Sequence, residues 1–247
     1  LFDVLRGCGR ILRSSAGDEH TFAMSGAVKK IDLFLSHNWD MPRAAKFLVL
    51  AMHFNWAPAL LIATLTQCIC SALVVCGRLP YFPCSYGFTG VVGMALSGPI
   101  FFIVLFFWHE VPGRKSHLPR VFLDKVCIHQ TDEQKKNEGI RNLGATLNKT
   151  NTLLCCYSSR YLRQLWTMYE LATFMCLNPA SRVIILPTFL SVSILGGIGV
   201  AYLSNFITFS FGPDFEVIRL MVYLMLCCLA ASITMRYSAR QQHQVHE

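Results

Sequence analysis

The stretch IDLFLSH at Ile31–His37 is a short apolar run that ends in polar residues, and VFLDK at Val121–Lys125 is a second one. Apolar runs this short and nearly continuous are typical of strands in a parallel sheet that is covered on both faces. Between the two runs lie two long stretches without charged residues, which predict membrane spans. The sequence therefore predicts a water-soluble α/β unit whose chain is interrupted by a membrane hairpin.

Further strands and helices follow the second run in alternating order. Thr152–Tyr157 is a third strand-like run, and Val183–Leu186 is either a fourth strand or the start of a membrane span. Apolar residues recur at helical spacing over 140–147 and again over 162–176. The order strand, strand, helix, strand, helix, strand indicates an α/β fold. We expect Leu33 and Phe122 to lie on adjacent strands although they are far apart in the chain.

Four segments lack sustained charge and predict membrane-spanning helices. Phe47–Gly77, Leu79–Trp108 and Val183–Pro213 contain no Asp, Glu, Lys or Arg, and each exceeds the about 20 residues that a spanning helix needs. Leu220–Met235 is shorter and reaches spanning length if Arg219 snorkels at its end. Only 15% of the residues are charged, against roughly 25% in soluble domains, which also favours a membrane protein.

The distribution of basic residues predicts the orientation. With four spans, residues 1–46, 109–182 and 236–247 share one side, and only Arg78 and Arg219 of the 22 Lys and Arg fall on the other. Because cytoplasmic loops carry the excess of Lys and Arg, we expect a multi-pass integral membrane protein with both termini cytoplasmic. The net charge of +8 then reflects topology and attraction to the anionic lipid bilayer. Nucleic-acid binding is not expected, because no basic stripe carries interleaved aromatics.

The cysteines and histidines do not form a metal-binding pattern. Cys127 and His129 are two apart, and no second pair stands at a zinc-like spacing from them. We therefore expect no metal site, and free thiols in a reducing cytoplasmic setting.

These patterns divide the chain into five segments. Because no Met begins the chain, we also expect a fragment or a processed product. The segments are an N-terminal segment (1–30), a split cytoplasmic domain (31–46 plus 109–182), a first transmembrane hairpin (47–108), a second transmembrane hairpin (183–235) and a cytoplasmic tail (236–247).

Three ordered pieces of the predicted cytoplasmic domain share a pattern with a known family. In Asp32–His37 an acidic residue leads an apolar run that closes on Ser and His, and Val121–Asp124 is a strand that ends in Asp. Tyr157–Tyr161 is followed by Trp166 and by Glu170. This set resembles the first, second and third strands, and the helix after the third, of a Toll/interleukin-1 receptor (TIR) domain. The resemblance implies a short, incomplete TIR/flavodoxin-like parallel sheet, here combined with about four transmembrane helices.

The chain also departs from the TIR pattern. A two-span hairpin stands where the family has its first helix, and the second hairpin replaces the family's later strand and helices. The family's Trp-Cys pair is Trp166-Thr167 in this chain, and Gln164 stands where the family has Ser. The resemblance therefore implies a TIR-like domain that is split and truncated.

The resemblance also implies a function. TIR domains signal by self-association or by association with other TIR-like domains, and some of them cleave NAD with a glutamate at the position that Glu170 matches. NAD would then be a substrate, and no cofactor is expected. Two alternatives stay open, namely a non-enzymatic TIR-like adaptor and a small-solute transporter or channel subunit.

Polar side chains follow the ends of the predicted strands and suggest one site. Ligands of parallel α/β sheets bind beyond the carboxyl ends of the strands. Trp166 and Glu170 are four residues apart and share a helix face. We expect Glu170 to be catalytic and the following residues to bind the substrate: Ser36, His37, Trp39, Asp124 and Trp166.

NAD cleavage needs few protein groups, and one carboxylate beside an aromatic side chain is enough. The reaction passes through an oxocarbenium-like ribose, and the nicotinamide leaves as a neutral molecule that needs no general acid. We expect Glu170 to stabilise the ribosyl cation and Trp166 to pack on the dinucleotide, while Ser36 and His37 contact the ribose or a phosphate.

Each of these residues has a structural alternative. Glu170 could be a solvent-facing helix residue paired with an arginine, because structural ion pairs are common. Trp166 could be a core aromatic, and His37 a loop histidine without a role as a base. Asp124 could cap the loop after its strand.

Overall fold

The computed structural model describes residues 1–80, 82–84, 87–89, 91–113 and 117–211. The chain divides into two compact units, and each draws on separated stretches of sequence. The described part of the first unit consists of Leu1–Val49 and Pro112–Thr188, and that of the second consists of Leu50–Val111 and 189–211. The sheet and its polar edge belong to the first unit.

The described residues contain two sheets. Their strands are β1 (Ile31–His37), β2 (Phe82–Cys84), β3 (Gly87–Thr89), β4 (Val121–Phe122), β5 (Thr150–Tyr157) and β6 (Arg182–Pro187). The first unit holds a four-stranded parallel sheet in the order β4-β1-β5-β6, and β2 pairs with β3 in an antiparallel hairpin. The prediction of a short parallel sheet in an α/β fold is confirmed.

The helices of the described residues vary widely in length. They are α1 (Phe2–Gly9), α2 (Glu19–Ala23), α3 (Arg43–Val75), α4 (Val91–Phe107), α5 (Asp124–Cys127), α6 (Glu133–Arg141), α7 (Leu143–Asn148), α8 (Leu165–Leu177) and α9 (Thr188–Phe211). Short 3₁₀ turns follow α1, α4 and β5 at Arg10–Arg13, Trp108–Glu110 and Tyr161–Arg163.

The runs Ile31–His37 and Val121–Lys125 supply neighbouring strands of the sheet. β1 pairs in parallel with β4, with Leu33 opposite Val121 and Phe34 opposite Phe122. The predicted adjacency is therefore confirmed, although the register places Leu33 one residue away from Phe122. On its other side β1 pairs with β5, so this strand occupies the middle of the sheet.

The core of the first unit forms where helices cover the sheet. The rings of Phe34 and Phe122 stack with their centroids 4.7 Å apart. Leu147 from α7 and Phe174 from α8 join the same cluster and are fully buried. Because burying such a side chain stabilises a fold by about 1.5–3 kcal/mol, this cluster fixes α7 and α8 against the strands.

The membrane-spanning content differs from the prediction of about four helices. Among the described residues one helix, α3, is long and apolar enough to cross a membrane by length and composition. The apolar helical parts Ala95–Glu110 and Thr188–Leu203 are shorter than a span. The predicted fourth span, Leu220–Met235, and the predicted tail lie outside the described residues. The prediction is corrected to one candidate span.

Local sequence explains why the second and third uncharged stretches are not single long helices. Pro80 and Pro83 stand near the start of the second stretch, where two prolines this close together disfavour a helix, and Pro83 lies in the β2–β3 hairpin. The third stretch begins with the β-branched residues of Val183–Ile185, which join the sheet as part of β6. The prediction of a fourth strand at Val183–Leu186 is thus confirmed, and α9 begins only at Thr188.

Candidate functional site

The polar groups of the first unit collect where β1 and β5 end. Ser36 lies opposite Cys155 and His37 opposite Cys156 in the parallel register. Because parallel strands end at the same edge of a sheet, the residues that follow each strand meet there. The 3₁₀ turn Tyr161–Arg163 and helix α8 follow β5 directly and bring Tyr161 and Glu170 to this edge.

Helix α8 turns one face toward the sheet. Thr167, Glu170 and Phe174 are its buried residues, and their spacing of three and four positions is that of a single helix face. The hydroxyl of Thr167 donates to the carbonyl of Tyr161, which ties the start of the helix to the turn before it. This tie sets the position from which Glu170 reaches Ser36.

Glu170 is the buried carboxyl of the site. Its exposed fraction is 2% and that of Ser36 is 0%. Oγ of Ser36 donates to Oε2 of Glu170 at 2.5 Å and lies 2.6 Å from Oη of Tyr161. Since Ser36 has one proton and gives it to Glu170, Tyr161 is the donor in the second bond. The three side chains form a continuous hydrogen-bonded chain inside the protein.

The charge state of Glu170 is set mainly by burial. Burial raises the pKa of Glu170 to about 8, the hydrogen bond from Ser36 opposes this rise, and the nearby charge of Asp124 adds to it. Among the described residues Glu170 forms no ion pair. The alternative of a solvent-facing glutamate paired with an arginine is therefore wrong, and at neutral pH most of this carboxyl is protonated.

Trp166 lies on α8 beside the carboxyl. It packs against the apolar cluster of the first unit, as the core alternative expects. Its indole lies close enough to Glu170 to lower the pKa of that carboxyl slightly, against the larger effect of burial. The contact of Trp166 with a dinucleotide stays a prediction.

Asp124 and Trp39 form a second pair at the same edge. Nε1 of Trp39 donates to Oδ2 of Asp124 at 3.0 Å, and the main-chain N–H of Lys125 donates to Oδ1 at 2.6 Å. Burial raises the pKa of Asp124. Asp124 is the first residue of α5, so its carboxylate has a local structural role as well as a place near Glu170.

His37 is buried next to Trp39. The two rings meet edge to face with their centroids 4.3 Å apart, and 5% of His37 is exposed. Burial, followed by the positive charge of Lys46, lowers the pKa of His37 to about 3. The imidazole is therefore neutral at physiological pH, and among the described residues Nε2 has no hydrogen-bond partner.

The structure adds three residues that the sequence did not single out for the site. Tyr161 completes the hydrogen-bonded chain, and Lys46 and Lys125 are buried lysines with exposed fractions of 1% and 9%. Lys125 ends the VFLDK run, and Lys46 is the last charged residue before the apolar part of α3. The position of Lys46 at the border of an apolar helix is a sequence feature that could have pointed to this site, although lysines at such borders usually reach into solvent.

The geometry supports chemistry on a carboxyl in a water-poor setting. A glutamate that is buried without a cation is costly to a fold, and shifted pKa values of this kind cluster at functional sites. Because Ser36 and Glu170 are shielded from solvent, a substrate reaches them only if neighbouring side chains move. Among the described residues there is no cluster of three or more His, Cys, Asp or Glu that could hold a metal ion.

Comparisons of the chain with models of protein families, with curated proteins and with solved structures give no match.

Proposed function

We propose that this chain is a membrane-anchored signalling protein whose first unit is a TIR-like domain that cleaves NAD at Glu170. The observation that carries the proposal is the buried carboxyl of Glu170, which accepts from Ser36 and lies at the carboxyl edge of a parallel sheet. This is the position that the resemblance to TIR domains gives to a catalytic glutamate. It is also where α/β sheets bind their ligands.

The proposed reaction breaks the bond between C1′ of the ribose and the nicotinamide nitrogen. The electron pair of that bond moves to the nitrogen, so the nicotinamide leaves neutral and the ribose becomes an oxocarbenium-like cation. Water then adds to C1′ and releases its proton to solvent. Ionised Glu170 stabilises the cation by its charge, while the hydroxyl of Ser36 holds the carboxylate in place.

The first test is the cleavage of NAD by the full chain in lipid nanodiscs, followed as nicotinamide release. Electrostatic groups of this kind contribute about 100-fold or more to a rate, so Glu170→Gln should reduce turnover by at least that factor. The matched control is Glu138→Gln, since Glu138 is an exposed glutamate on α6 of the same unit. Undiminished cleavage by E170Q would rule out the catalytic assignment, and a wild type without cleavage would rule out the enzyme.

The membrane part of the proposal extends beyond the single candidate span. Three observations support it. Helix α3 is long enough to span a membrane, and helices α4 and α9 are also apolar. Arg78 and Arg219 are the only Lys or Arg residues in the sequence of the predicted membrane hairpins. We infer a multi-pass arrangement with both termini in the cytoplasm. Glycosylation sequons introduced near residue 20 and near residue 80 test the orientation, and modification of the first but not the second would contradict it.

A second candidate function is a non-enzymatic TIR-like adaptor. The observation that favours it is the outer face of α8, where Leu165 is 87% and Met175 is 56% exposed. Apolar side chains grouped on one exposed face mark surfaces that bind other proteins. Leu165→Asp should then weaken self-association in crosslinking experiments, whereas Asn137→Asp on the exposed side of α6 should not. The transporter or channel subunit stays a prediction that a flux assay in liposomes would test.

A further inference from the structure

Two buried lysines meet the N-terminal segment at the polar edge of the sheet. Nζ of Lys46 donates to the carbonyl of Leu12 at 3.4 Å and to that of Trp39 at 3.2 Å. Nζ of Lys125 donates to the carbonyl of Ile11 at 3.3 Å. Because Ile11 and Leu12 are consecutive, the two ammonium groups hold one short piece of main chain.

Neither lysine has the partner that a buried cation usually has. Buried charges in proteins are normally paired with an opposite charge. Among the described residues neither Lys46 nor Lys125 forms an ion pair. Asp124 attracts both lysines at longer range, while its oxygens accept hydrogen bonds from Trp39 and from a main-chain N–H. The two ammonium groups are therefore bound by neutral carbonyl oxygens, and an anion would bind them more strongly.

His37 supplies an independent sign of an absent ligand at this place. Its Nε2 is buried and has no hydrogen-bond partner among the described residues, and buried polar atoms without partners are rare in folded proteins. The ring lies against Trp39, over which Nζ of Lys46 sits at 4.7 Å from the centroid. Because burial lowers the pKa of His37 to about 3, the imidazole is neutral, and a neutral imidazole nitrogen can accept from a hydroxyl.

We propose that Lys46 and Lys125 form a binding site for the diphosphate of a nucleotide, which the carbonyl groups of Ile11 and Leu12 occupy when no nucleotide is bound. Two ammonium groups match the anionic oxygens on two adjacent phosphorus atoms, and Nε2 of His37 accepts from a ribose hydroxyl. The site rests on the proposed function to the extent that a dinucleotide is the substrate. It adds a second group of residues, separate from Glu170, that would bind the phosphates.

The N-terminal segment then acts as a competitor of the ligand. The 3₁₀ turn Arg10–Arg13 is held to the first unit by the side chain of Leu12, which is fully buried. A nucleotide must displace this turn, so the measured affinity equals the intrinsic affinity reduced by the fraction of open molecules. A change that weakens the packing of Leu12 should therefore increase the affinity for the nucleotide.

The test uses ADP, which has the diphosphate and the ribose but no nicotinamide to lose, and isothermal titration calorimetry of the full chain in nanodiscs. Lys46→Met and Lys125→Met should each weaken ADP binding by about tenfold or more, because each removes a hydrogen bond to a charged group. Lys149→Met is the control, since the Lys149 side chain is exposed. Adenosine should not bind measurably, and inorganic diphosphate should displace ADP.

Leu12→Ala provides a second variant whose effect has the opposite sign. It removes the buried side chain that seats the turn, so ADP should bind severalfold more tightly than to the wild type. Thermal unfolding of each variant shows whether it is folded. Equal ADP affinity of wild type, K46M and K125M would overturn the site, and so would adenosine binding as tight as that of ADP. If L12A binds ADP with the affinity of the wild type, the Arg10–Arg13 turn does not compete with the nucleotide.

The two proposals fail in distinguishable ways. E170Q should keep the affinity of the wild type for ADP while it loses cleavage, because Glu170 does not contact the phosphates in this scheme. If the chain binds ADP through Lys46 and Lys125 but cleaves no NAD, the diphosphate site is supported and the proposed enzymatic activity is ruled out. If the chain cleaves NAD and neither K46M nor K125M changes the KM, the enzymatic activity is supported and the diphosphate site is ruled out.

Discussion

Glu170 and the lysine pair are both buried ionisable groups at one edge of one sheet, and the protein accommodates them in opposite ways. Glu170 is bonded by the hydroxyl of Ser36 and, with a pKa of about 8, is mostly neutral at pH 7. Lys46 and Lys125 are bonded to carbonyl oxygens of the N-terminal turn. Glu170 avoids the cost of a buried charge by taking up a proton. Lys46 and Lys125 instead donate hydrogen bonds to main-chain carbonyl oxygens, and burial also lowers the pKa of Lys46 to about 8.

Glu170 and the two lysines therefore respond differently to changes in the solution. A proton can leave Glu170 when the pH rises, without any movement of the chain. The lysines can exchange their acceptors only if the segment around Arg10–Arg13 moves. Because burial lowers the pKa of Lys46 to about 8, we expect a rise in pH to act on both Glu170 and Lys46, and added anions to act mainly on the N-terminal segment.

The largest effect should be the pH dependence of NAD cleavage. If the ionised form of Glu170 is the active one and its pKa is about 8, the rate should rise about 10-fold for each pH unit below that value. It should level off above pH 8 to 9. Initial rates between pH 6 and 9.5 measure this profile, and a rate that falls as the pH rises would contradict the assignment.

The stability of the fold should depend on pH through the same group. The pKa of Glu170 is raised from 4.5 to about 8, so above pH 4.5 the folded state binds more protons at this site than the unfolded state does. The contribution of Glu170 to stability is complete below pH 4.5 and is lost as the pH rises toward 8.

Glu170→Gln stays neutral at every pH and removes this loss. The melting temperature of E170Q relative to the wild type should therefore increase steadily between pH 5 and pH 8, by an amount that corresponds to a few kcal/mol. Glu138→Gln is the control and should shift the melting curve by the same small amount at each pH. A constant offset for E170Q would show that the carboxyl is not perturbed in the fold.

Ser36→Ala should have a smaller but still clear effect. It leaves the carboxyl of Glu170 and the hydroxyl of Tyr161 without their shared partner, which costs about 1–3 kcal/mol. Because the hydrogen bond from Ser36 lowers the pKa of Glu170, its loss should also move the pH profile of cleavage to higher pH. Ser181→Ala, in the turn before β6, should change neither quantity.

The smallest effect should come from Trp39→Phe. This change keeps an aromatic ring over Lys46 but removes the 3.0 Å hydrogen bond to Asp124. The expected loss of unfolding free energy is about 0.5–1.5 kcal/mol, measured by chemical denaturation. A larger loss would mean that Trp39 does more than bridge Asp124 to the ring of His37.

The parallel sheet could be predicted from the sequence because apolar strands and their polar ends are local patterns. The adjacency of Ile31–His37 and Val121–Phe122 followed from such patterns, as did the clustering of Ser36 with Glu170. The register of β1 against β4 could not be predicted, since a continuously apolar run lacks the alternation that specifies register. The span count was too high where Pro80 and Pro83 interrupt the second stretch, which looks uniform in hydropathy.

The lysine pair could not be predicted for a different reason. Lys46 and Lys125 stand in sequence where solvated lysines are common, and their burial depends on a turn more than 30 residues before Lys46 in the chain. A main-chain carbonyl leaves no mark in the sequence, because every residue has one. Contacts of this type appear only when the tertiary structure is known.

The central position of β1 has a consequence for how the protein is made. β1 precedes α3 in the chain, while its neighbours β4 and β5 follow α4. On a ribosome the middle strand therefore emerges first, and it must wait until about 80 more residues have been synthesised and the apolar helices have been accommodated. During that time His37 and the rest of its strand have no partner strands, so the incomplete sheet is exposed to aggregation and to chaperones.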